Sequence, residues 1–397
     1  MRDRVRIASG QGFWGDLLSA PREQVRRGPI DYLVMDYLAE VTMSILQKQR
    51  RKDPALGYAR DLVPLMEELL PLLVEKDIRV ITNGGGVNPA ACRDAIFAAA
   101  ARRGIRGLAI GVVAGDDILP RLGELRAAGI PLANMETGED LTGVADRVLS
   151  ANVYFGAGPI VRALREGARI VITGRTTDTG LTLAPMIHEF GWKADDWDRL
   201  AAGTVAGHIL ECGAQASGGN FSADWRSVPD LARVGFPIAE ANPDGGVVIT
   251  KHAGTGGLVS VQTVKEQLLY EIGNPAEYIT PDCIADFTTI RLAGDGPDRV
   301  RVSGVRGRQA TPSYKVSMAY LDGYTAVGTL TYAWPDALAK ARAADGILRR
   351  RLGDLGLAFE EIRTEFVGYN SCHGPLADSG AEVNEVVLRI GVRGKDA

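Results

Sequence analysis

The chain has 397 residues, with 45 Lys and Arg against 49 Asp and Glu, a formal charge of −4 and a sequence pI of about 5.7. The length suits two or three domains, or one large α/β unit with a smaller partner, and 46% hydrophobic with 24% charged residues suits a protein that buries a substantial core. The acidic balance argues against a nucleic-acid binder, no apolar run approaches the ~18 residues of a membrane span, and four scattered cysteines form no C-x-x-C pair, so a cytoplasmic protein is expected.

Up to about residue 190, short apolar runs at 4–9, 32–35, 79–82, 107–113 and 169–173 alternate with helix-period stretches at 61–75, 89–103 and 141–150. Strands this continuously apolar are buried on both faces, so the alternation predicts an α/β fold, a Rossmann-like parallel sheet wrapped by helices. Pro89 suits a first helical turn, where its missing N–H has no partner anyway. Residues 151–155 read either as another strand or as the entry to a glycine loop. Three of the five tryptophans, Trp192, Trp197 and Trp225, fall in 190–245, a stretch of helices and ordered loops. Beyond it, runs at 286–292, 300–305, 313–321 and 324–334, separated by Gly and Asp-Gly turns, predict an antiparallel meander. A helix over 336–352 with a basic end and strands over 364–369 and 383–392 follow. The expected division is an α/β ligand-binding domain over residues 1–245 and an α+β domain with a mostly antiparallel sheet over 246–397, with a cleft between them.

Glycine is 48 of 397 residues, about 12% against a usual ~7%, and it gathers in loops after the expected strands. In a parallel sheet those loops share one edge, where ligands bind. Gly10, Gly12 and Gly15 have the G-x-G-x-x-G spacing of a dinucleotide site, with Asp36 placed for a ribose. Phe13 and Trp14 are bulky where a pyrophosphate needs bare backbone, so the loop is expected to be filled by side chains and NAD is not expected as a cofactor. Asn83, Gly84, Gly85 and Gly86 precede a helix and offer N–H groups to an anion. Asp116 and Asp117 suit a cation, a ribose or simple helix capping. Arg175 with Asp178 reads equally as an anion clamp or as a pair that stiffens its loop.

The richest stretch is 206–221. On a helix His208, Glu211 and Gln215 share one face, and imidazole with carboxylate at i, i+3 makes an oriented base pair or part of a metal site, against a buried structural pair. Gly218 and Gly219 follow, in another loop able to face a ligand. Lys251, His252, Gly254, Gly256 and Gly257 place a cation, an imidazole and three glycines ahead of a helix, without the G-K-[ST] of a P-loop. Catalytic roles are expected of His208, Glu211 and His252, and binding roles of the other loop residues; no metal ligand set is evident.

Taken together, Gly84-Gly85-Gly86-Val87-Asn88-Pro89, Gly115-Asp116-Asp117, Gly174-Arg175-Thr176-Thr177-Asp178, the segment from Ala184 through His188 to Trp192, the segment from Gly207 through His208 to Gln215, Gly218 to Phe221 and Lys251 to Gly257 resemble the acyclic terpene utilisation protein A family over nearly the whole chain. The resemblance implies a place beside acyl-CoA carboxylases, enoyl-CoA hydratases and acyl-CoA dehydrogenases in the breakdown of citronellol, geraniol and other branched acids. The resemblance gives a pathway neighbourhood and not a mechanism; the residues themselves, an anion cradle with an acid–base pair, point to an enzyme, a lyase or hydratase before a hydrolase, that carries out hydration, elimination or carbon–carbon cleavage on a branched carboxylic acid or its CoA thioester. A homo-oligomer and an acyl-CoA pathway enzyme as partner are expected. Two alternatives stand beside it: a hydrolase or transferase acting on an activated acyl or phosphate group through His252 and Lys251, and a non-catalytic subunit of an acyl-CoA carboxylase-type complex.

Overall fold

The computed structural model describes residues 2–377 and 383–395. In chain order the first part runs β1 (Val5–Gln11), α1 (Ser19–Arg27), β2 (Tyr32–Met35), α2 (Glu40–Lys52), α3 (Leu62–Glu75), β3 (Arg79–Thr82), α4 (Pro89–Arg102), β4 (Ile110–Val113), α5 (Leu122–Ala127), β5 (Val148–Val153), α6 (Gly158–Arg165), β6 (Ile170–Thr173), α7 (Asp178–Phe190) and α8 (Trp197–Glu211). Then follow β7 (Ile238–Ala241), β8 (Val247–Thr250), α9 (Val261–Leu269), β9 (Tyr278–Ile279), β10 (Ile284–Asp286), β11 (Arg291–Gly294), β12 (Arg299–Ser303), β13 (Arg306–Arg308) and β14 (Val316–Tyr320). The C-terminal part holds β15 (Tyr324–Ala333), α10 (Ala337–Asp354), β16 (Glu361–Val367) and β17 (Glu385–Gly394).

A nine-stranded mixed sheet of order β11-β12-β8-β7-β1-β2-β3-β6-β4 organises the first part. β1, β2, β3, β6 and β4 are mutually parallel, and β7, β8, β12 and β11 continue antiparallel from β1. The runs of β2 and β6 are buried at every residue, as expected of strands covered on both faces. Alternate side chains feed two cores. Leu33, Met35, Val80 and Ile172 meet α1, α2, α3 and α4 on one face, while Ile7, Val34, Ile81 and Val171 meet α6, α7, α8 and α9 on the other. Each such aliphatic side chain contributes about 1.5–3 kcal/mol on burial. Helix ends follow local chemistry: Pro89 opens α4 with Asn88 capping Ala91, and Gly191, left-handed at φ 64°, closes α7.

Several expectations change. The chain parts into compact units at 319/320 and not near 245, because β7, β8, β11 and β12 all rejoin the large sheet. The expected meander is divided: β10 pairs with β9 and β13, β11 and β12 edge the large sheet, and β14 pairs with β5. The helix expected over 141–150 is two short 3-10 turns and the start of β5. Its apolar spacing serves a small core with Ile118, Leu122 and Met318 instead. The second unit is a three-stranded antiparallel sheet, β15-β17-β16, with Ala337, Ala341 and Ala344 of α10 packed on Val386 and Leu388.

Candidate functional site

Loops after the five parallel strands share one edge of the sheet. β3 leads to α4 on one face and its neighbour β6 leads to α7 on the other, so their carboxyl ends form the topological switch point at which a ligand crevice is expected. The residues around it all belong to the first unit. Asn83, fully buried after β3, donates from Nδ2 to Asp36 Oδ1 at 2.6 Å and accepts the Tyr37 N–H at 2.7 Å. It thereby fixes the loop after β2, where Asp36 also accepts the Leu38 N–H at 3.1 Å. Burial, with the Asp178 charge, holds the Asp36 carboxyl well above the usual range.

Arg175 follows β6 with only 2% of its side chain exposed. Its Nη1 donates to the Leu38 carbonyl at 2.7 Å and lies 3.2 Å from Asp178 Oδ1, and its guanidinium stacks 4.2 Å over the Tyr154 ring. Tyr154 in turn donates to Glu40, which Lys315 reaches at 3.1 Å. Burial works against the Glu40 charge, but the Tyr154 and Lys315 bonds bring its carboxyl down to about 2. Asp116 Oδ2 accepts the Arg175 N–H at 2.9 Å and Asn152 Nδ2 at 2.8 Å. Its carboxylate fills the space a side chain on Gly174 would need, which explains that glycine.

Asp178 opens α7 at the lip of the crevice, its side chain 32% exposed. Oδ1 has an ion-pair contact with Arg175 but no aligned hydrogen bond. Burial pushes this carboxyl up, Arg175 pulls it back, and the charges of Glu211 and Glu40 push it again, to about 6.

The opposite wall is the end of α8. His208 is 1% exposed; its Nε2 lies 3.0 Å from the Gln267 carbonyl and its Nδ1 2.8 Å from Glu211 Oε1. Gln267 Nε2 returns a bond to the His208 carbonyl at 2.7 Å, and the imidazole stands edge-on to Tyr278 and Phe287 at 5.4 Å. Burial disfavours the His208 charge, yet Glu211 and the Gln267 carbonyl raise it above its ordinary value. With one nitrogen on a backbone carbonyl and the other on a carboxylate, His208 has no free nitrogen to offer a substrate. The expectation of a histidine base is at odds with this arrangement. Glu211 is 10% exposed and close enough to Asp178 to act on its charge. Burial and the Glu211 charge push the adjacent Cys212 thiol up to about 12, which argues against a nucleophile.

Other expected residues are absorbed by the fold. The N–H groups of Gly84 and Gly86 are taken by Thr82 Oγ1 and the Asn83 carbonyl, at 3.0 and 3.1 Å, and Gly85 packs tightly on the end of β6. They form a buried turn and not an open cradle. Asp117 caps Leu119. Gln215, Gly218 and Gly219 form a turn after α8, with the N–H groups of Gly218 and Gly219 on the Gln215 and Ala214 carbonyls. Lys251, 3% exposed, is paired with Asp298 at 3.0 Å and bonded to the Thr255 carbonyl. The Gly256 and Gly257 N–H groups bond the Arg233 and Pro229 carbonyls, while Gly254 takes a left-handed turn at φ 73°. His252 Nε2 faces the Gln24 carbonyl at 3.2 Å, against Gly28, and burial with Arg6 and Arg27 lowers its pKa. Its partners lie on α1 and around it, and none belongs to the crevice. In the first loop Trp14 packs on the core with its Nε1 donating to Asp61 at 2.7 Å, while Phe13 is 59% exposed; Gly12 touches the Cys212–Gly213 backbone, where a Cβ would come within 2.6 Å.

Residues that sequence reasoning missed are Glu40, Tyr154, Gln267, Tyr278 and Glu271. Asp36 was visible at the end of an expected strand, though for a ribose; Glu40 and Tyr154 join only through tertiary contact. Among the described residues no group of three or more His, Cys, Asp or Glu is arranged to hold a metal ion. A depression of about 460 Å³ beside β4, lined by Gly111, Val113, Arg162 and Glu166, includes none of the crevice residues.

No helix among the described residues is long and apolar enough to cross a membrane. Neither the curated proteins nor the solved structures contain a match to the chain. The model of one family, described as acyclic terpene utilisation family protein AtuA, matches residues 5–397, and the chain belongs to that family.

Proposed function

We propose that the chain is an enzyme of acyclic, branched-acid breakdown that adds water to, or removes it from, the CoA thioester of such an acid, with Asp178 and Glu211 as its acid and base. The observation that carries this reading is the Asp178 carboxyl: a third of its side chain is exposed, its buried Oδ1 has an ion-pair contact with Arg175 but no aligned hydrogen bond, and burial with the neighbouring charges pushes it up to about 6. A carboxyl poised near neutral pH can give and take a proton, and a second carboxylate beside it divides the two tasks. In hydration of a 2-enoyl thioester, Glu211 takes a proton from water as its oxygen attacks C3. Asp178 delivers a proton to C2, and dehydration reverses both transfers.

Electrostatics favour a thioester over a free acid. Asp36, Glu40, Asp178, Glu211 and Glu271 act on one another's surroundings, while Arg175 is spent on the Leu38 carbonyl and Asp178 and Lys315 on Glu40. A free carboxylate would be repelled, whereas a thioester carbonyl is neutral where it enters. The expected anion clamp at Arg175 is therefore replaced by a wall that tunes its neighbours. The test is a 3-methyl-branched 2-enoyl-CoA in D2O followed by NMR. We expect deuterium at C2 with the 3-hydroxy product, and a loss of ~10²–10⁴-fold in Asp178→Asn. Absence of deuterium uptake by wild type across saturated, 2-enoyl and 3-hydroxy branched thioesters would refute the reading.

A further inference from the structure

We infer that His208 is a positioning residue, an imidazolium locked inside the protein that holds the Glu211 carboxylate toward the crevice, and that Glu211 and not His208 exchanges protons there. This rests on the reading of the crevice as an acid–base site, but the state of the pair can be measured without any substrate.

A carbonyl oxygen only accepts, so the 3.0 Å contact between Nε2 and the Gln267 carbonyl fixes a proton on Nε2. Nδ1 then faces Glu211 Oε1 at 2.8 Å, and that approach is stable only with one further proton in the pair. The contact is a charge contact more than an aligned hydrogen bond, which suits an imidazolium beside a carboxylate. The groups facing the imidazole support the same state. Glu211 lies on α8, the Gln267 carbonyl on α9 and Glu271 just beyond it, and all three favour the charged imidazole against its burial. Tyr278 and Phe287 close the remaining sides with ring edges. The cage also explains Gln267, which accepts from His208 through its backbone and donates back through its side chain. A base held this way could never reach a substrate; the carboxylate at the outer end of the pair can.

The chain has four histidines, and two of the others make internal references. Burial lowers His188, with Arg79 adding to it, and burial lowers His252, with Arg6 and Arg27 adding to it, so both shift in the direction opposite to His208. Nitrogen NMR of protein labelled in histidine with ¹⁵N should show His208 protonated on both nitrogens at pH 7, with a midpoint above its ordinary 6.5. In Glu211→Gln it should revert to the neutral form protonated on Nε2 alone. In the exchange assay Glu211→Gln should lose the full ~10²–10⁴-fold of a missing base, and His208→Gln, which keeps a donor, should lose less. A neutral His208 at pH 7 in wild type would overturn the inference, whether or not the thioester reacts. So would exchange that survives Glu211→Gln but vanishes in folded His208→Gln, because the imidazole would then be the base.

Discussion

Two loops that each carry a buried cation have opposite fates. Both follow a strand of the large sheet, both begin with a basic residue or a Thr-Gly pair, and both run toward a helix. After β8, Lys251 is closed off by Asp298 and the Thr255 carbonyl, and the Gly256 and Gly257 N–H groups are taken by carbonyls. After β6, Arg175 is equally buried, but its partner Asp178 keeps one oxygen without an aligned hydrogen bond, at the lip of the crevice. Buried polar groups are mostly hydrogen-bonded, so a stretch where Arg175 Nε, Thr177, Asp178 and Thr179 keep atoms without an aligned bond is informative. The loop with three glycines after β8 is closed and the loop with one after β6 is not, so glycine content is the wrong guide; the remaining hydrogen-bond capacity is the better one.

The sharpest way to break this comparison is a pair of substitutions with opposite signatures. Asp178→Asn should reduce deuterium uptake by the ~10²–10⁴-fold of a lost acid while circular dichroism and the melting transition stay cooperative. Lys251→Met should do the reverse. It removes a cation whose side chain is 3% exposed and strands Asp298, whose own is 35% exposed. Breaking a buried pair costs about 3–5 kcal/mol, and the partial exposure of Asp298 reduces this to about 2–3 kcal/mol. Urea unfolding should show that loss, and the rate of the folded fraction should match wild type. A Lys251→Met variant with full stability and no turnover would reverse the assignment of the two loops.

How much of this was legible in the sequence differs between elements for physical reasons. The strand at 79–82 and the helix opening at Pro89 follow from continuous burial and from a local cap, and both are as expected. The stretch at 141–150 has the apolar spacing of a helix, but its partner β14 lies far along the chain, and no local rule announces that pairing. The domain boundary expected at 245 marks a real change in pattern, from parallel to antiparallel, yet the antiparallel strands edge the same sheet. Within the site, the His208–Glu211 pair was visible as i, i+3 on one helix. Which of the two faces outward was not, because that depends on Gln267 and Tyr278, which arrive from α9 and β9.

The smallest expected effect is the most discriminating test of the Asp178 environment, because it needs no substrate. In the folded protein this carboxyl is raised from 3.8 to about 6, so the folded state binds its proton more tightly than the unfolded chain. The sign follows directly. The stability this preference supplies is complete below about pH 4, where both states are protonated, and drains away as pH rises through about 6. Above that, folding must hold a carboxylate in an unfavourable place. A shift of two units corresponds to ~3 kcal/mol, and exposure of a third of the side chain reduces it to about 1–2 kcal/mol. Asp178→Asn removes the ionisation, so the variant should be more stable than wild type at pH 7.5 by about that amount, with the difference closing near pH 4. Asp36 is raised partly by the same charge and will relax in the variant, in the same direction. Asp282 is also pushed up to about 6, by burial, but it is common to both proteins and cancels in the difference. Melting curves of wild type and Asp178→Asn from pH 4 to 7.5 provide the comparison. A difference that does not change with pH would mean that Asp178 is an ordinary surface carboxylate. The crevice would then lose its acid, whatever the thioester assay returned.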